Sequence, residues 1–122
     1  MKRRGIQILF PKNCYDMSFH GNDLRNPKEH HLYTIFDKEE NNIFKYGISD
    51  NPIRADGTSR RMREQVIYLN SAVGWLRYFA EILLRGIAGK AKADEIEDEY
   101  INAYYEHHGR NPRGNKEKIK SR

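Results

Sequence analysis

The chain has 122 residues, of which 38% are hydrophobic and 32% are charged, and its net charge is +5. This length and composition predict one domain with a modest core, while a content of 11% aromatic residues argues against full disorder. The single cysteine, Cys14, excludes an internal disulfide and fits a reducing, cytoplasmic site of action. Pro11 cuts off the apolar run from Ile6 to Phe10, so we expect neither a signal peptide nor a membrane span.

Positive charge is concentrated in three segments, residues 2–4, 54–63 and 110–122. A basic domain favours polyanionic partners, either nucleic acid or an anionic membrane surface. At the two ends of the chain, basic residues are explained equally well as solubilising features of exposed termini. The internal arginines are the stronger indication of a polyanion, and we expect nucleic acid rather than a membrane.

The first half of the chain reads as an irregular start followed by a hairpin. Glycine and proline residues punctuate positions 1–30, which predicts an irregular N-terminal extension with a short strand at Ile6 to Phe10. Strand-forming residues at 31–37 and 43–49 flank a short polar connector, which predicts an antiparallel hairpin. Gly47 weakens the second strand because it has no side chain to pack, so its position requires a tertiary explanation.

The next segment reads as a helix with an early start. Asp50, Asn51 and Pro52 have the composition of a helix N-terminus, which places Arg54 in the first turn. Asp56-Gly57 interrupts this helix, and apolar spacing predicts that it resumes over residues 60–70. An arginine at a helix start opposes the helix dipole, which indicates another purpose for Arg54.

The last two elements complete the order β-β-α-β-α. Residues 75–84 fit either period, and we interpret them as a strand because Gly74 and Gly86 bracket a segment of strand length. Residues 90–105 form the clearest helix, with Gly109 as its C-terminal cap. The sequence therefore predicts an α+β fold, a small three-stranded antiparallel sheet flanked by helices.

Glu97 is the most informative single residue, because it falls inside the apolar stripe of the last helix. A carboxylate buried without a partner costs several kcal/mol or shifts its pKa upward. Two explanations carry equal weight: an ion pair with an arginine such as Arg77, or a cleft where Glu97 binds a cation. A hard oxygen ligand suits Mg²⁺, which needs only one or two carboxylates. The two pairs of adjacent histidines do not share a face, so we expect no zinc site from them.

Motifs in chain order resemble the GIY-YIG endonuclease domain, which has a three-stranded antiparallel sheet with flanking helices. HLY at 31–33 stands where the family has GIY, so Tyr33 matches the tyrosine of that motif. KYG at 45–47 stands where the family has YIG. Lys45 takes the place of the family's tyrosine there, and Tyr46 lies one position later.

The remaining motifs extend the resemblance to residue 115. Arg54 follows Gly47 in the window of the family's catalytic arginine. IEDEYI at 96–101 is similar to the glutamate motif, so Glu97 matches the metal-binding glutamate. NPRGN at 111–115 is similar to the closing motif and places Asn115 at the family's asparagine. The likeness covers residues 31–115 and leaves 116–122 as a basic tail.

The resemblance implies a metal-dependent endonuclease that cuts nucleic acid, DNA in preference to RNA, with one Mg²⁺ or Mn²⁺. Glu97 would hold the ion, Tyr33 would act as general base or position the water, and Arg54 would clamp the phosphate oxygens. Lys45 would serve as a base or supply charge, with Tyr46 as the other candidate of that motif. The expected contacts to the nucleic-acid backbone come from Arg60, Arg61, Arg63 and Asn115.

Within the family, the chain is most similar to small stand-alone or toxin-borne members, which often show KYG for YIG. That branch implies a monomeric warhead of a larger secreted bacterial toxin, delivered into a target cell and neutralised by an immunity protein. One alternative is a catalytically weak or inactive nucleic-acid-binding module on the same fold, which accounts for the lysine at position 45. Another is an interaction module that binds no nucleic acid, with Glu97 in a salt bridge.

Overall fold

The computed structural model describes residues 23–115 and shows a three-stranded antiparallel sheet with two helices. The elements are β1 (Glu29–Asp37), β2 (Asn42–Ser49), α1 (Arg60–Val73), β3 (Tyr78–Ala88) and α2 (Lys90–His108). The strand order is β2-β1-β3, so β1 is central. The predicted α+β class and the order β-β-α-β-α are confirmed. The expected strand at Ile6 to Phe10 and the tail at 116–122 lie outside the described residues.

The hairpin of β1 and β2 is confirmed, and its register sets up the site. Tyr33 pairs with Gly47, and Ile35 pairs with Lys45, before an irregularity at Ile35/Phe36. Side chains of directly opposed residues lie on the same face of a sheet. Tyr33, Gly47 and Lys45 therefore share one face, and Tyr46 lies on the other.

The third strand is correct in type but displaced from its predicted bounds, since it begins at Tyr78 and continues to Ala88. Gly86 was expected to end the strand and instead lies inside it, with φ at 69°. His30 pairs with Ile87 and Leu32 with Leu84, so β3 carries an extra residue around Gly86. A glycine accommodates the backbone of such a bulge, and the strand continues past it.

The predicted helix start at residues 50–52 is wrong, because residues 50–59 form a non-helical loop. Inside this loop Arg54 accepts a hydrogen bond from the Gly57 N–H and donates its own N–H to the Thr58 carbonyl. The helix itself begins at Arg60. Asn51 still caps it, since its side-chain oxygen accepts the Arg61 N–H at 3.0 Å from outside the helix. Of the residues predicted to start the helix, Asn51 therefore contacts its first turn from the preceding loop, and Ser59 is the N-cap residue.

The core forms two clusters, one on each face of the sheet. Tyr33, Ile35, Met62 and Tyr78 pack on the face that α1 covers. The opposite face, which α2 covers, is built from Leu32, Tyr46, Ile87, Ala93 and Tyr104. Alternate residues of β1 thus feed the two clusters, as the two-residue period of a strand requires. In the part of the chain that is described, neither helix has the length and apolarity to span a membrane.

The segment after α2 folds back along the outer edge of β2. Pro112 is buried, and the Gly114 N–H donates to the Phe44 carbonyl at 2.7 Å. Arg113 reaches the fully buried carboxylate of Asp37, which also receives two hydrogen bonds from Arg77 at 2.7 and 2.8 Å. Asp37 therefore ties the end of β1 to the start of β3 and to the chain that follows α2.

Candidate active site

A cavity of about 270 Å³ opens where β1 and β2 meet the two helices. Its lining is predominantly polar and includes charged groups of both signs. The cations are Lys45, Arg61 and Lys90, and the carboxylates are Asp50 and Glu97. Tyr33 and His30 also border it. A cleft in which titratable groups with perturbed pKa values converge, here Tyr33 and Lys45, is a candidate functional site.

Tyr33 is fully buried, and its hydroxyl donates a hydrogen bond to the Gln65 side-chain oxygen at 2.7 Å. Its ring lies over Gly47, where any β-carbon would overlap the phenol. This contact is the tertiary explanation that the position of Gly47 requires, because the Tyr33 ring fills the space of a side chain there. Burial raises the pKa of the Tyr33 hydroxyl, although the Arg61 guanidinium counteracts part of that shift. Tyr33 is therefore a neutral hydrogen-bond donor at neutral pH.

Lys45 is half-buried on the same sheet face as Tyr33 and borders the cavity. Burial lowers the pKa of its ammonium group, the Arg61 charge lowers it further, and Glu97 opposes both effects. Tyr46 lies on the other face, where its ring packs edge-on against Tyr100 at 5.4 Å. Its residue borders the cavity, but its ring belongs to the core under α2. Of the KYG motif, Lys45 therefore belongs to the cavity and the Tyr46 ring belongs to the core under α2.

The structure brings Arg61 to the cavity and leaves Arg54 exposed in the preceding loop. The loop between Ile53 and Ser59 closes on itself through a backbone bridge, so Arg54 sits on an outward turn. Asn51 holds the Arg61 backbone, as described above. Sequence spacing alone pointed to Arg54, because the loop had been interpreted as the first turn of a helix. The other two arginines of α1 are exposed and form surface pairs, Arg60 with Glu64 and Arg63 with Asp56.

Glu97 is half-buried and borders the cavity with Tyr33 and Lys45. Its negative charge contributes an upward component to the pKa of both groups. The alternative partner considered for it, Arg77, instead binds Asp37 at the far end of β1. The second arginine that could have neutralised it, Arg85, is exposed on β3. The structure therefore brings Tyr33, Lys45 and Glu97 together at the cavity, and the predicted site residues Tyr46, Arg61 and Asn115 also border it.

Asn115 binds the backbone of β2 through both ends of its side-chain amide. Its oxygen accepts the Tyr46 N–H at 2.8 Å, and its nitrogen donates to the Tyr46 carbonyl at 2.9 Å. Beside it, Gly114 lies against Phe44 and Lys45 so closely that a β-carbon there would overlap both side chains. Asn115 thus fixes the strand that carries Lys45, although its residue also borders the cavity.

The donor set of the cavity fits a hard divalent cation. Among residues 23–115, no group of three or more His, Cys, Asp or Glu side chains is placed to hold a metal. Mg²⁺ does not need one, because it keeps several waters and binds through one or two carboxylates. Glu97 and Asp50 border the cavity and offer such oxygen ligands. These residues fit Mg²⁺ or Mn²⁺ better than zinc, which prefers nitrogen and sulfur ligands.

Sequence reasoning missed four residues of this site: His30, Asp50, Gln65 and Lys90. Gln65 lies one helical turn after Arg61, so the same face of α1 presents both side chains to Tyr33. Lys90 begins α2 and pairs with Asp94 at 3.3 Å. The sequence analysis considered His30 only as a metal ligand together with His31. In the hairpin His31 pairs with Ser49, so the strand register would have placed His30 beside the end of β2. Spacing from Arg61 and strand register were the signals that could have identified them.

Comparison with known families agrees with this geometry. A family model described as URI fold toxin 2 matches residues 24–109, which span every helix and strand of the sheet domain. The URI fold is the GIY-YIG-like nuclease fold, so the resemblance inferred from the sequence is confirmed. No curated protein and no solved structure matches the chain.

Proposed function

We propose that this chain, which belongs to the URI fold toxin 2 family, is a metal-dependent endonuclease that hydrolyses phosphodiester bonds in nucleic acid. The observation that carries the proposal is the convergence of Tyr33, Lys45, Arg61 and Glu97 on one polar cavity. These groups come from four different elements, β1, β2, α1 and α2. Convergence of a carboxylate, cations and a phenol in a cleft is the arrangement that phosphoryl chemistry requires.

Glu97 holds the divalent ion in this proposal, with Asp50 as the other carboxylate on the cavity wall. When bound, Mg²⁺ or Mn²⁺ stabilises negative charge on the phosphate and leaving oxygen. Glu97 is suited to this role because it is half-buried and borders the cavity. Its half-burial also limits competition from water for the ion.

In this proposal Arg61 takes the phosphate-clamping role that the family resemblance implied for Arg54. A guanidinium presents two parallel donors to phosphate oxygens, and its charge persists at any physiological pH. Lys45 and Lys90 border the same cavity and add positive charge. These three cations would bind the non-bridging oxygens of a phosphodiester and stabilise the charge that develops on them.

Tyr33 positions the reacting groups in this proposal and does not remove a proton. Its raised pKa keeps it protonated, and its proton is already donated to Gln65. A neutral phenol donates hydrogen bonds well and accepts a proton poorly. Of the two roles that the resemblance implies for Tyr33, we therefore propose the positioning of the water and not general-base catalysis.

The site would act on a nucleic acid, with DNA preferred to RNA. Three exposed arginines near the cavity, Arg54, Arg60 and Arg63, are placed to follow a phosphate backbone. In keeping with the toxin family, the domain would act as a monomer in the cytoplasm of a target cell, after delivery as part of a larger secreted protein. An immunity protein in the producing cell would block it.

A second function is favoured by one observation, the lysine at the position of the family's tyrosine. A domain that binds nucleic acid without cutting it would keep the basic surface and lose the catalytic phenol. Lys45 is half-buried, and burial lowers the pKa of its ammonium group. A lysine that only binds the nucleic-acid backbone would stay solvated at the surface, so the burial of Lys45 favours the enzyme.

The test is cleavage of plasmid DNA and of total RNA, run side by side with Mg²⁺ and with excess chelator. We expect cleavage that depends on the metal and is abolished in Glu97→Gln. Glu99→Gln is the matched control, since Glu99 is exposed on the same helix. Circular dichroism checks that both variants fold. Full cleavage by Glu97→Gln, or in chelator, would overturn the mechanism, and binding without cleavage by the wild type would establish the alternative.

A further inference from the structure

We propose that His30 is the general base that activates the attacking water, an inference that rests on the proposed function. His30 lies near the start of β1, and only 3% of its surface is exposed. It borders the same cavity as Tyr33, Lys45 and Glu97. A buried titratable group in the site that the family resemblance does not use requires a role of its own.

The tautomer of His30 is set by its surroundings. Its Nδ1 lies 2.7 Å from the Lys28 carbonyl oxygen. A carbonyl only accepts, so Nδ1 carries the hydrogen, and in the neutral ring Nε2 is left with a lone pair. The Lys28 carbonyl also accepts the Gly89 N–H at 3.2 Å, next to the start of α2. The acceptor that orients the ring is therefore itself fixed between two elements.

The segment before β1 is held rigidly, so the ring has a defined place. The Asn26 side chain accepts the Lys28 N–H at 3.0 Å and donates to Asp50 at 3.1 Å. The Asn26 carbonyl accepts the Lys90 N–H at 2.9 Å. Asn26 is itself buried. This network joins the segment just before His30 to Asp50 and Lys90, which both border the cavity, and such a network is the support that a positioned base requires.

The other proton acceptors of the site are less suitable. Tyr33 is held protonated, as argued above. Lys45 must lose a proton before it can accept one. His31 lies on the same sheet face as Tyr33, with 6.2 Å between their ring centroids, but its Nε2 is occupied by the buried Ser59 hydroxyl at 2.9 Å.

Charged groups face His30 from every element around the cavity. On β1 the neighbouring titratable groups are His31 and Tyr33. The charged groups are Lys45 on β2, Asp50 just after β2, Arg61 on α1, and Lys90 and Glu97 on α2.

The step balances without any reactant beyond water and substrate. The water oxygen forms a bond to phosphorus while its proton passes to Nε2 of His30. The bond between phosphorus and the departing nucleotide oxygen breaks, and its electron pair stays on that oxygen, which then takes a proton from solvent. His30 returns its proton to solvent, so the enzyme is regenerated.

Two variants separate catalysis from structure. His30→Asn retains an amide donor at the position of Nδ1, which preserves the bond to Lys28 while removing Nε2. His30→Gln places an amide near Nε2, which accepts a hydrogen bond but takes no proton. His107→Asn is the control, because His107 is exposed at the end of α2. Plasmid cleavage is measured with saturating Mg²⁺ from about pH 5 to pH 9, the range in which histidine titrates.

We expect both His30 variants to lose about 100-fold or more in kcat, with unchanged nucleic-acid affinity. The fall in rate towards acidic pH should disappear, and added imidazole should partly restore the His30→Gly protein. Wild-type cleavage in His30→Asn, an unchanged acidic limb, or a loss of affinity equal to the loss of rate would each overturn the role. If the wild type fails to cleave, or if Glu97→Gln cleaves, the proposed nuclease function fails. If these two tests succeed and only the His30 results disagree, the role of His30 alone fails.

Discussion

Tyr33 and Gly47 are directly opposed on β1 and β2, and the phenol of one occupies the place of the other's missing side chain. The glycine is therefore part of the site, since it allows a buried ring to lie flat against the neighbouring strand. In this position the phenol oxygen donates its hydrogen bond to Gln65 on α1.

Gly47→Ala is expected to destabilise the domain by about 1–3 kcal/mol, because the new methyl group overlaps the phenol. Cleavage should fall as well, since the ring must move. Denaturant unfolding measures the first effect. In the double variant Gly47→Ala/Tyr33→Val the overlap is gone, so the two changes should not add. Simple additivity of their unfolding free energies would show that the ring and the glycine do not interact as described.

Arg61→Ala should reduce kcat by about 100-fold or more, while Arg54→Ala should leave it nearly unchanged. The reason is that a donor aimed at developing charge is worth about 3 kcal/mol, and only Arg61 borders the cavity. Arg61→Lys should recover part of the lost rate, because it restores the charge without the two parallel donors. Single-turnover cleavage by the three proteins measures this. A larger loss in Arg54→Ala than in Arg61→Ala would return the role to Arg54.

Asn115→Ala should lower stability by about 1–3 kcal/mol, because it leaves two backbone groups of Tyr46 without their partner in a half-buried place. The Tyr46 amide should also exchange its hydrogen with solvent faster. Hydrogen exchange of that amide is the direct measurement. Asn102→Ala, at an exposed position of α2, is the control. Unchanged protection of Tyr46 in Asn115→Ala would contradict the bidentate contact.

Acid should destabilise the domain through Asp37. The Arg77 and Arg113 guanidinium groups hold the pKa of its carboxyl well below its usual range, against the effect of burial. Since the folded-state pKa is depressed, the stabilisation is present above the unfolded pKa of about 4 and is lost as pH falls below it. Asp37→Asn should cost about 3 kcal/mol at neutral pH and flatten this dependence. Unfolding free energies between about pH 2 and pH 7 test both.

The hairpin and the element order were predictable, because they depend on local composition. A carboxylate in an apolar stripe marked Glu97, but the sequence left an ion pair and a cleft as equal explanations for it. Arg61 was not predictable as the cavity arginine, because the cap of α1 comes from Asn51, across a loop whose closure is a tertiary contact. Gly86 misled for a similar reason. Its effect depends on the bulge in its pairing with β1, and a glycine inside a bulge has the same local signature as one that ends a strand.

The contact between Asn115 and the backbone of Tyr46 has a consequence for synthesis. A chain leaves the ribosome from its N-terminus, so β1 and β2 are made well before Glu97 and Asn115. Until residue 115 has been added, the cavity therefore lacks first the Glu97 carboxylate on α2 and then the Asn115 contact that holds β2. For a toxin, this order of assembly withholds the finished site from the cell that makes it until the last residues of the domain have been added.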